Sequence, residues 1–210
     1  TREEVLKREP NVNPAVRMAV QVPDATMDAM RMPLRFFATA KHAGAVIKPY
    51  TEVVDFIKRG NAVSAIRVRD HTSNKEYEIG GDIFINAGGA WSGRIGAMVG
   101  VDVPIRPSPG VMLAVYGRLS NMVINRLHAS GDGDIVVPQR ALSVIGTSSW
   151  VVEDPDNLGL PKDHIEMMVK YGSELIPAIR TAKFRAAWSA ARPLIGPRGL
   201  ARSDAARRRP

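Results

Sequence analysis

The chain has 210 residues, of which 45% are hydrophobic and 24% are charged, as is ordinary for a globular protein with a substantial core. It contains no cysteine, no long apolar run and no apolar N-terminal segment, so we expect no disulfide, thiolate metal site, membrane span or signal peptide. Half of the net charge of +8 comes from residues 198–210, with five arginines and one aspartate, and because no basic stripe with interleaved aromatics occurs elsewhere, we expect no nucleic-acid partner.

The N-terminal third begins without clear periodicity. Residues 1–24 contain three prolines, which favours a loop with at most one short helix over residues 3–8. A helix is predicted over residues 28–42, with Asp28 as its N-cap. Pro33 lies inside this helix and predicts a bend. The Leu and Phe residues of the helix predict a buried face.

From residue 45 the pattern changes to the alternation that is typical of strands. Strand segments are predicted at residues 45–50, 53–58, 62–69 and 77–79. A buried strand is predicted next, from Ile83 to Asn86, and it runs into Gly88 and Gly89 before a helical segment over residues 92–99. Ligands usually bind at such a strand end in α/β sheets, although a glycine pair is equally common in a plain turn.

The second half is rich in short apolar strands. They are predicted at residues 111–116, 122–126, 134–137 and 142–145. A turn at residues 130–133 and Pro138 separate them. Pro161 opens a helix that extends to Leu175, and a weaker strand over residues 183–192 ends at the proline that follows it. The last residues have no apolar periodicity and predict a disordered tail.

These elements predict an α+β fold in which a small β-meander precedes an antiparallel sheet crossed by helices. We place the first domain at residues 1–105, comprising the helix, the meander and the strand that ends at the glycines. A second domain, built on the antiparallel sheet, covers residues 106–196, and the basic tail covers residues 197–210. No metal site is predicted, because the sequence shows no spacing typical of metal ligands.

Several short motifs carry a resemblance over residues 1–196. They are Val22 to Asp28, Gly44 to Ile47, Glu52-Val53, Ile85 to Trp91, Arg106-Pro107 with Gly110, Gly146 to Ser149, and Arg192 to Leu194. In this order and spacing they resemble the FAD-dependent oxidoreductases of the D-amino-acid-oxidase superfamily. More narrowly, the chain resembles the large flavin subunits of anaerobic glycerol-3-phosphate dehydrogenases. The second domain would then be the substrate cap of a partial FAD-oxidoreductase fold that lacks the N-terminal Gly-rich Rossmann unit.

The resemblance implies oxidation of sn-glycerol 3-phosphate to dihydroxyacetone phosphate. Electrons would pass through partner subunits to membrane quinone, and the enzyme would lie in the cytoplasm, peripheral at the inner face of the cytoplasmic membrane. It also implies FAD as cofactor, bound by Val53, Ala87, Gly88, Gly89 and Trp91. Because no Gly-x-Gly-x-x-Gly follows a strand, we expect a fragment without the ADP-binding loop, which is inactive and binds FAD weakly when alone.

Arg192 is the main candidate for chemistry. The resemblance places it at the reactive face of the flavin, where a guanidinium can hold an anionic substrate or add positive charge beside the flavin ring. A structural salt bridge is the competing interpretation. Thr147 is a second candidate, because its hydroxyl would lie near flavin or substrate, although turn chemistry explains it equally well.

The general base is left unassigned. Pro109 stands where related enzymes often carry lysine, and Met112 stands where aerobic relatives carry histidine. The four histidines fall outside the matching motifs, at positions typical of helix ends, turns or the surface. Two other functions stay open, namely an enzyme of the same superfamily that oxidises an amine or amino acid, and a non-catalytic module that binds polyanions through its basic tail.

Overall fold

The computed structural model describes residues 1–126 and 135–196. Its helices are α1 (Arg2–Arg8), α2 (Arg31–His42), α3 (Ser92–Met98) and α4 (Lys162–Leu175). Its strands are β1 (Thr51–Arg59), β2 (Ala62–Asp70), β3 (Lys75–Gly80), β4 (Ile105–Tyr116), β5 (Ile124–Asn125), β6 (Ile135–Gln139), β7 (Leu142–Gly146) and β8 (Phe184–Ile195). Residues 27–103 form one compact unit, and residues 1–26 form another with the described residues from 104 onward. No helix in the described part of the chain is long and apolar enough to span a membrane.

The unit of residues 27–103 contains the predicted meander, in which β1, β2 and β3 pair antiparallel in chain order. The turn between β2 and β3 is fixed by Asp70. Its carboxylate accepts hydrogen bonds from the Thr72 hydroxyl at 2.6 Å and the Thr72 amide at 2.8 Å. A third comes from the Ser73 hydroxyl at 2.9 Å. Hydrogen bonds that favour the ionised form, first that of the Thr72 hydroxyl, lower the pKa of Asp70 to about 2.

Helix α2 forms where it is predicted, but its surroundings differ from the prediction. Its N-cap is Met30 rather than the predicted Asp28, and the Asp28 carboxylate precedes the helix and accepts from the amides of Met30 and Arg31, both at 3.1 Å. The helix begins at Arg31, so Pro33 lies in the first turn, where its missing N–H costs no helical hydrogen bond and the predicted bend loses its basis. The predicted buried face is wrong, because α2 has no buried residue and Leu34 is 65% exposed.

Two predicted strands do not form. Residues 45–50 run without strand structure into a turn at Tyr50, where φ is +55°. Residues 83–86 are also outside any strand, and Ile83 is 82% exposed and Ile85 85% exposed. A strand exists only when a neighbour pairs with its N–H and C=O groups. No described strand pairs with either segment, so their apolar residues alone do not produce strands.

The other unit is built on an antiparallel sheet with the order β5-β6-β7-β4-β8. Helix α4 and the 3-10 helix Pro177–Thr181 pack on one face of this sheet. The core there consists of Leu113, Val115, Val136, Ile145, Met168, Ile176 and Ile179. This arrangement, an α+β fold with an antiparallel sheet crossed by a helix, confirms the predicted fold class. The turn at residues 130–133 and the tail at residues 197–210 lie outside the described residues.

Three strands are longer than predicted, because the prediction ended them at prolines through which they continue. Strand β4 begins at Ile105 rather than at residue 111, β6 includes Pro138, and β8 continues through Pro193. A proline removes a donor from a ladder but keeps its carbonyl as an acceptor. The carbonyls of Pro109 and Pro107 accept from the amides of Trp150 and Val152, at 3.2 and 3.0 Å. Strand β5 is shorter than predicted, with two residues.

The N-terminal segment is tied to the sheet unit by a buried carboxylate. Glu9, at the end of α1, is only 3% exposed. Its two oxygens accept from the amides of Asn121 at 2.8 Å and Met122 at 2.6 Å. The amide of Asn13 donates to the carbonyl of Leu175 at 2.8 Å. The N-terminal loop therefore packs at a defined place although it contains little regular structure.

Candidate active site

The pairing of β4 with β8 places Arg192 on one face of the sheet. Arg192 lies opposite Ser108, and two steps along the ladder Ala190 lies opposite Gly110. Because side chains alternate between the faces of a strand, these residues share a face with Met112, opposite Trp188. We call it the outer face, because Leu113 and Val115 point to the other side, where the core and α4 lie.

The side chain of Arg192 is half-buried, and its guanidinium is held by oxygen atoms of β4 and of the loop after β7. Its Nη2 donates to the Thr147 hydroxyl at 2.8 Å and lies 3.5 Å from the carbonyl oxygen of Ser148. Its Nη1 donates to the carbonyl of Ser108 at 3.3 Å. The fixed fork of donors on a guanidinium makes these contacts orient the whole group. Arg192 and Thr147, both predicted as site residues, are therefore direct neighbours in the structure.

Thr147 follows the end of β7, where the chain leaves its ladder with β4. The last β4–β7 pair is Met112 with Gly146, and beyond it the Ser148 hydroxyl accepts from the Val111 amide at 3.0 Å. The hydroxyls of Ser108 and Ser149 lie 3.0 Å apart. Side-chain hydroxyls thus replace a backbone partner and allow the loop to turn toward Arg192.

Gly110 lies directly beneath this group. A Cβ at this position would lie 2.5 Å from Arg192 Nη2, from the Thr147 hydroxyl oxygen and from the Ser148 carbonyl oxygen. The sequence places Gly110 in a motif, but neither composition nor spacing assigns it to the site. Its part in the site becomes visible only when the strand pairing brings the three groups together.

The predicted FAD-binding turn lies in the unit of residues 27–103. Gly89 has a φ of +55°, and nothing lies within 4 Å of the position that a Cβ would take. Gly88 differs, because its Cβ would lie 2.5 Å from Cδ1 of Ile95. A side chain at the first glycine would push the end of Ile95 aside, and the second glycine is favoured by its backbone conformation. Ala87 and Trp91 are exposed on either side of this turn.

Asn86 organises the turn, a role that the sequence analysis does not assign. Its side-chain oxygen accepts from the Gly88 amide at 3.1 Å, and its side-chain nitrogen donates to the Ser92 carbonyl at 3.0 Å. The Trp91 amide donates to the Gly88 carbonyl at 2.9 Å. An Asn side chain commonly hydrogen-bonds the backbone two residues further on, so the residue type alone could have indicated this role.

Val53 lies in β1 at an irregularity of the meander. The register between β1 and β2 shifts between Val53 and Asp55, which places an extra residue in the first strand. Such a bulge leaves a residue outside the ladder and changes the direction of the strand locally. The Lys58 ammonium of the same strand donates to the Val99 carbonyl at the end of α3, at 2.8 Å, which links the meander to the helix after the glycine turn.

Other candidate groups do not gather at Arg192. Pro109 is fully buried, and by strand alternation it points away from the outer face. His71 lies 2.9 Å from a carboxylate oxygen of Glu52 on the meander. His164 packs edge-on against Trp150, with ring centroids 4.8 Å apart, and is half-buried rather than on the surface. His42 ends α2, and residue 128 lies outside the described residues.

The chain is similar to known FAD-dependent enzymes. The model of the FAD dependent oxidoreductase family, DAO, matches residues 1–208. An anaerobic glycerol-3-phosphate dehydrogenase subunit from Haloferax volcanii is 34% identical over 211 residues, covering 96% of this chain and 36% of that protein. Its counterpart from Escherichia coli K12 is 32% identical over 189 residues, covering 89% of this chain and 35% of that protein. The chain thus spans about a third of these relatives.

Solved structures share the fold at lower identity. Glycine oxidase from Geobacillus kaustophilus superimposes with a TM-score of 0.76 and 24% identity, over 93% of this chain and 50% of that chain. Glycerol-3-phosphate dehydrogenase from Bacillus halodurans, solved with FAD, gives a TM-score of 0.76 and 18% identity, over 93% and 41%.

Proposed function

The chain belongs to the DAO family of FAD dependent oxidoreductases, and from this premise we propose that it forms part of an enzyme that oxidises sn-glycerol 3-phosphate to dihydroxyacetone phosphate. Similarity to the anaerobic dehydrogenase subunits of Haloferax volcanii and Escherichia coli over most of this chain supports the proposal. Because those relatives are subunits of larger enzymes, we further propose partner subunits that carry electrons to membrane quinone. The enzyme would then lie in the cytoplasm, at the inner face of the cytoplasmic membrane.

The observation that carries the proposal is the placement of Arg192. Its guanidinium lies on the outer face of the sheet, held at 2.8 Å by Thr147. An always-charged fork of donors can bind phosphate oxygens or stabilise negative charge that develops in the transition state. We propose that Arg192 binds and orients the anionic substrate at the flavin.

The turn at Ala87–Gly89 fits a dinucleotide that is bound through the backbone. Gly89 has open space where a side chain would stand. A ligand can approach the backbone this closely only where the residue is glycine. We propose that Val53, Ala87, Gly88, Gly89 and Trp91 would hold FAD. When bound, FAD supplies the acceptor for the hydride from C2 of the substrate. The chain contributes orientation and positive charge. No general base for the proton of the substrate hydroxyl is assigned among the residues that the structure describes.

Substrate comparison in the full-length flavoprotein that contains this chain tests the proposal. We expect reduction of an artificial electron acceptor with sn-glycerol 3-phosphate and none with glycine or other amines. Turnover of an amine or amino acid without turnover of glycerol 3-phosphate would assign the protein to the oxidase branch of the same fold. A stoichiometric flavin absorbance in the purified 210-residue chain would contradict our expectation that it binds FAD weakly alone.

A further inference from the structure

We propose that Thr147 and Gly110 are positioning residues that together fix the guanidinium of Arg192 in the orientation in which it meets an anionic substrate. The inference rests on the proposed function of Arg192. It differs from the expectation that the Thr147 hydroxyl itself contacts flavin or substrate, and it gives Gly110 a role that its strand position alone does not suggest.

The hydroxyl of Thr147 both donates and accepts a hydrogen bond. This hydroxyl donates to the carbonyl oxygen of Ser148 at 3.1 Å and accepts from Arg192 Nη2 at 2.8 Å. A hydroxyl has one hydrogen to donate. In this arrangement the hydrogen is directed to the Ser148 carbonyl and the oxygen accepts from the guanidinium. Thr147 therefore acts on the substrate through Arg192.

Gly110 lies directly under the guanidinium of Arg192. Gly110 lies in the middle of β4, where glycine weakens a strand and needs an explanation. A Cβ there would lie 2.5 Å from Arg192 Nη2, from Thr147 Oγ1 and from the Ser148 carbonyl oxygen. The carbonyl belongs to the backbone and cannot rotate away as a side-chain end would. Any side chain at position 110 therefore displaces Arg192 from Thr147.

The two residues act on the same group from two sides. Thr147 attracts Nη2 by a hydrogen bond to a charged donor, which is stronger than a neutral one. Gly110 leaves free the space next to Nη2 that a Cβ would occupy. Since Ser108 contributes its carbonyl at 3.3 Å to Nη1, both ends of the fork are located by fixed oxygen atoms.

The test uses substitutions in the full-length holoenzyme, with sn-glycerol 3-phosphate as substrate. We expect Thr147→Val, which keeps the shape and removes the hydroxyl, to lower kcat/KM about tenfold, or ~1.4 kcal/mol. Thr147→Ser retains the hydroxyl and should stay within about twofold of wild type by the same conversion. Gly110→Ala should also lose about tenfold. Gly196→Ala is its matched control, because a Cβ there meets only Arg106 Cδ, at 3.9 Å.

A double-mutant cycle separates positioning from a general structural effect. In an Arg192→Ala background, Thr147→Val should cause no further loss, because the group that it positions is gone. An equal loss in both backgrounds, or no loss in wild type while Arg192→Ala is impaired, would overturn the inference and leave the proposed function intact. If Arg192→Ala itself is fully active, it is the proposed substrate-binding role of Arg192 that fails.

A readout without flavin tests the positioning directly. In the ¹⁵N-labelled chain, the Nε–H resonance of Arg192 should move on Thr147→Val and stay close to wild type on Thr147→Ser, since only the former removes the acceptor for Nη2. A resonance that is the same in wild type and in Thr147→Val would contradict the inference whatever the substrate of the enzyme is.

Discussion

Replacement of Glu9 by glutamine should destabilise the sheet unit strongly, although it changes a single atom of the side chain. Glu9 is 3% exposed, and its carboxylate accepts from two backbone amides, those of Asn121 and Met122. A glutamine can accept from one of them and must turn its own N–H₂ donor toward the other. The change therefore removes one charge-assisted hydrogen bond and leaves a buried N–H without an acceptor. Each effect costs about 1–3 kcal/mol, and we expect a total loss of about 2–6 kcal/mol.

Urea denaturation of the purified chain, followed by circular dichroism, measures this loss as a lower midpoint at unchanged slope. Glu153→Gln is the matched control, since Glu153 is exposed in the same unit, and surface changes of this kind stay within about 0.5 kcal/mol. A Glu9→Gln midpoint equal to that of Glu153→Gln would refute the reasoning, because it would mean that the two amides find other acceptors.

Two further predictions concern the unit of residues 27–103. The Asp70 carboxyl has a pKa lowered from 3.8 to about 2. It therefore contributes stability that is present above pH 3.8 and lost as the pH falls through 2. A ¹³C NMR titration of Asp70 should give a midpoint near 2, and a midpoint near 3.8 would be inconsistent with the hydrogen bonds from Thr72. At Gly89, φ is +55° and there is open space beside the residue. Gly89→Asn should retain most of the stability, whereas Gly89→Val should lose at least about 1–2 kcal/mol. Equal Tm values for the two variants would contradict the explanation that the positive φ favours glycine at this position.

Local signals in the sequence predicted most elements of both sheets but not which of them are buried. The meander follows from alternating residues and the turn at Asp70, which are local properties. The strand predicted at Ile83–Asn86 failed because its apolar residues have no partner among the described strands. The same holds for the apolar face of α2. In both cases the composition reports a tendency to be buried, whereas burial itself depends on a neighbour.

The candidate site was predictable only in part. The motif containing Arg192 was sufficient to single out the guanidinium, and the glycine turn was visible as an ordered sequence of residue types. The pairing of Arg192 with Thr147 across the sheet depends on the register of two ladders, in which β4 lies between β7 and β8. Proline-based rules also ended β8 at the wrong residue. The role of Gly110 depends on atoms that come from two different strands and a loop, and such a contact has no local signature.

The most direct test of the central claim is the effect of Arg192→Ala on the full-length holoenzyme. If Arg192 binds the anionic substrate at the flavin, kcat/KM for sn-glycerol 3-phosphate should fall at least tenfold, or about 1.4 kcal/mol or more. Arg185→Ala, a change of the same kind at an exposed position of β8, should leave it unchanged. Steady-state kinetics of Arg192→Ala that equal those of the wild type would contradict the account.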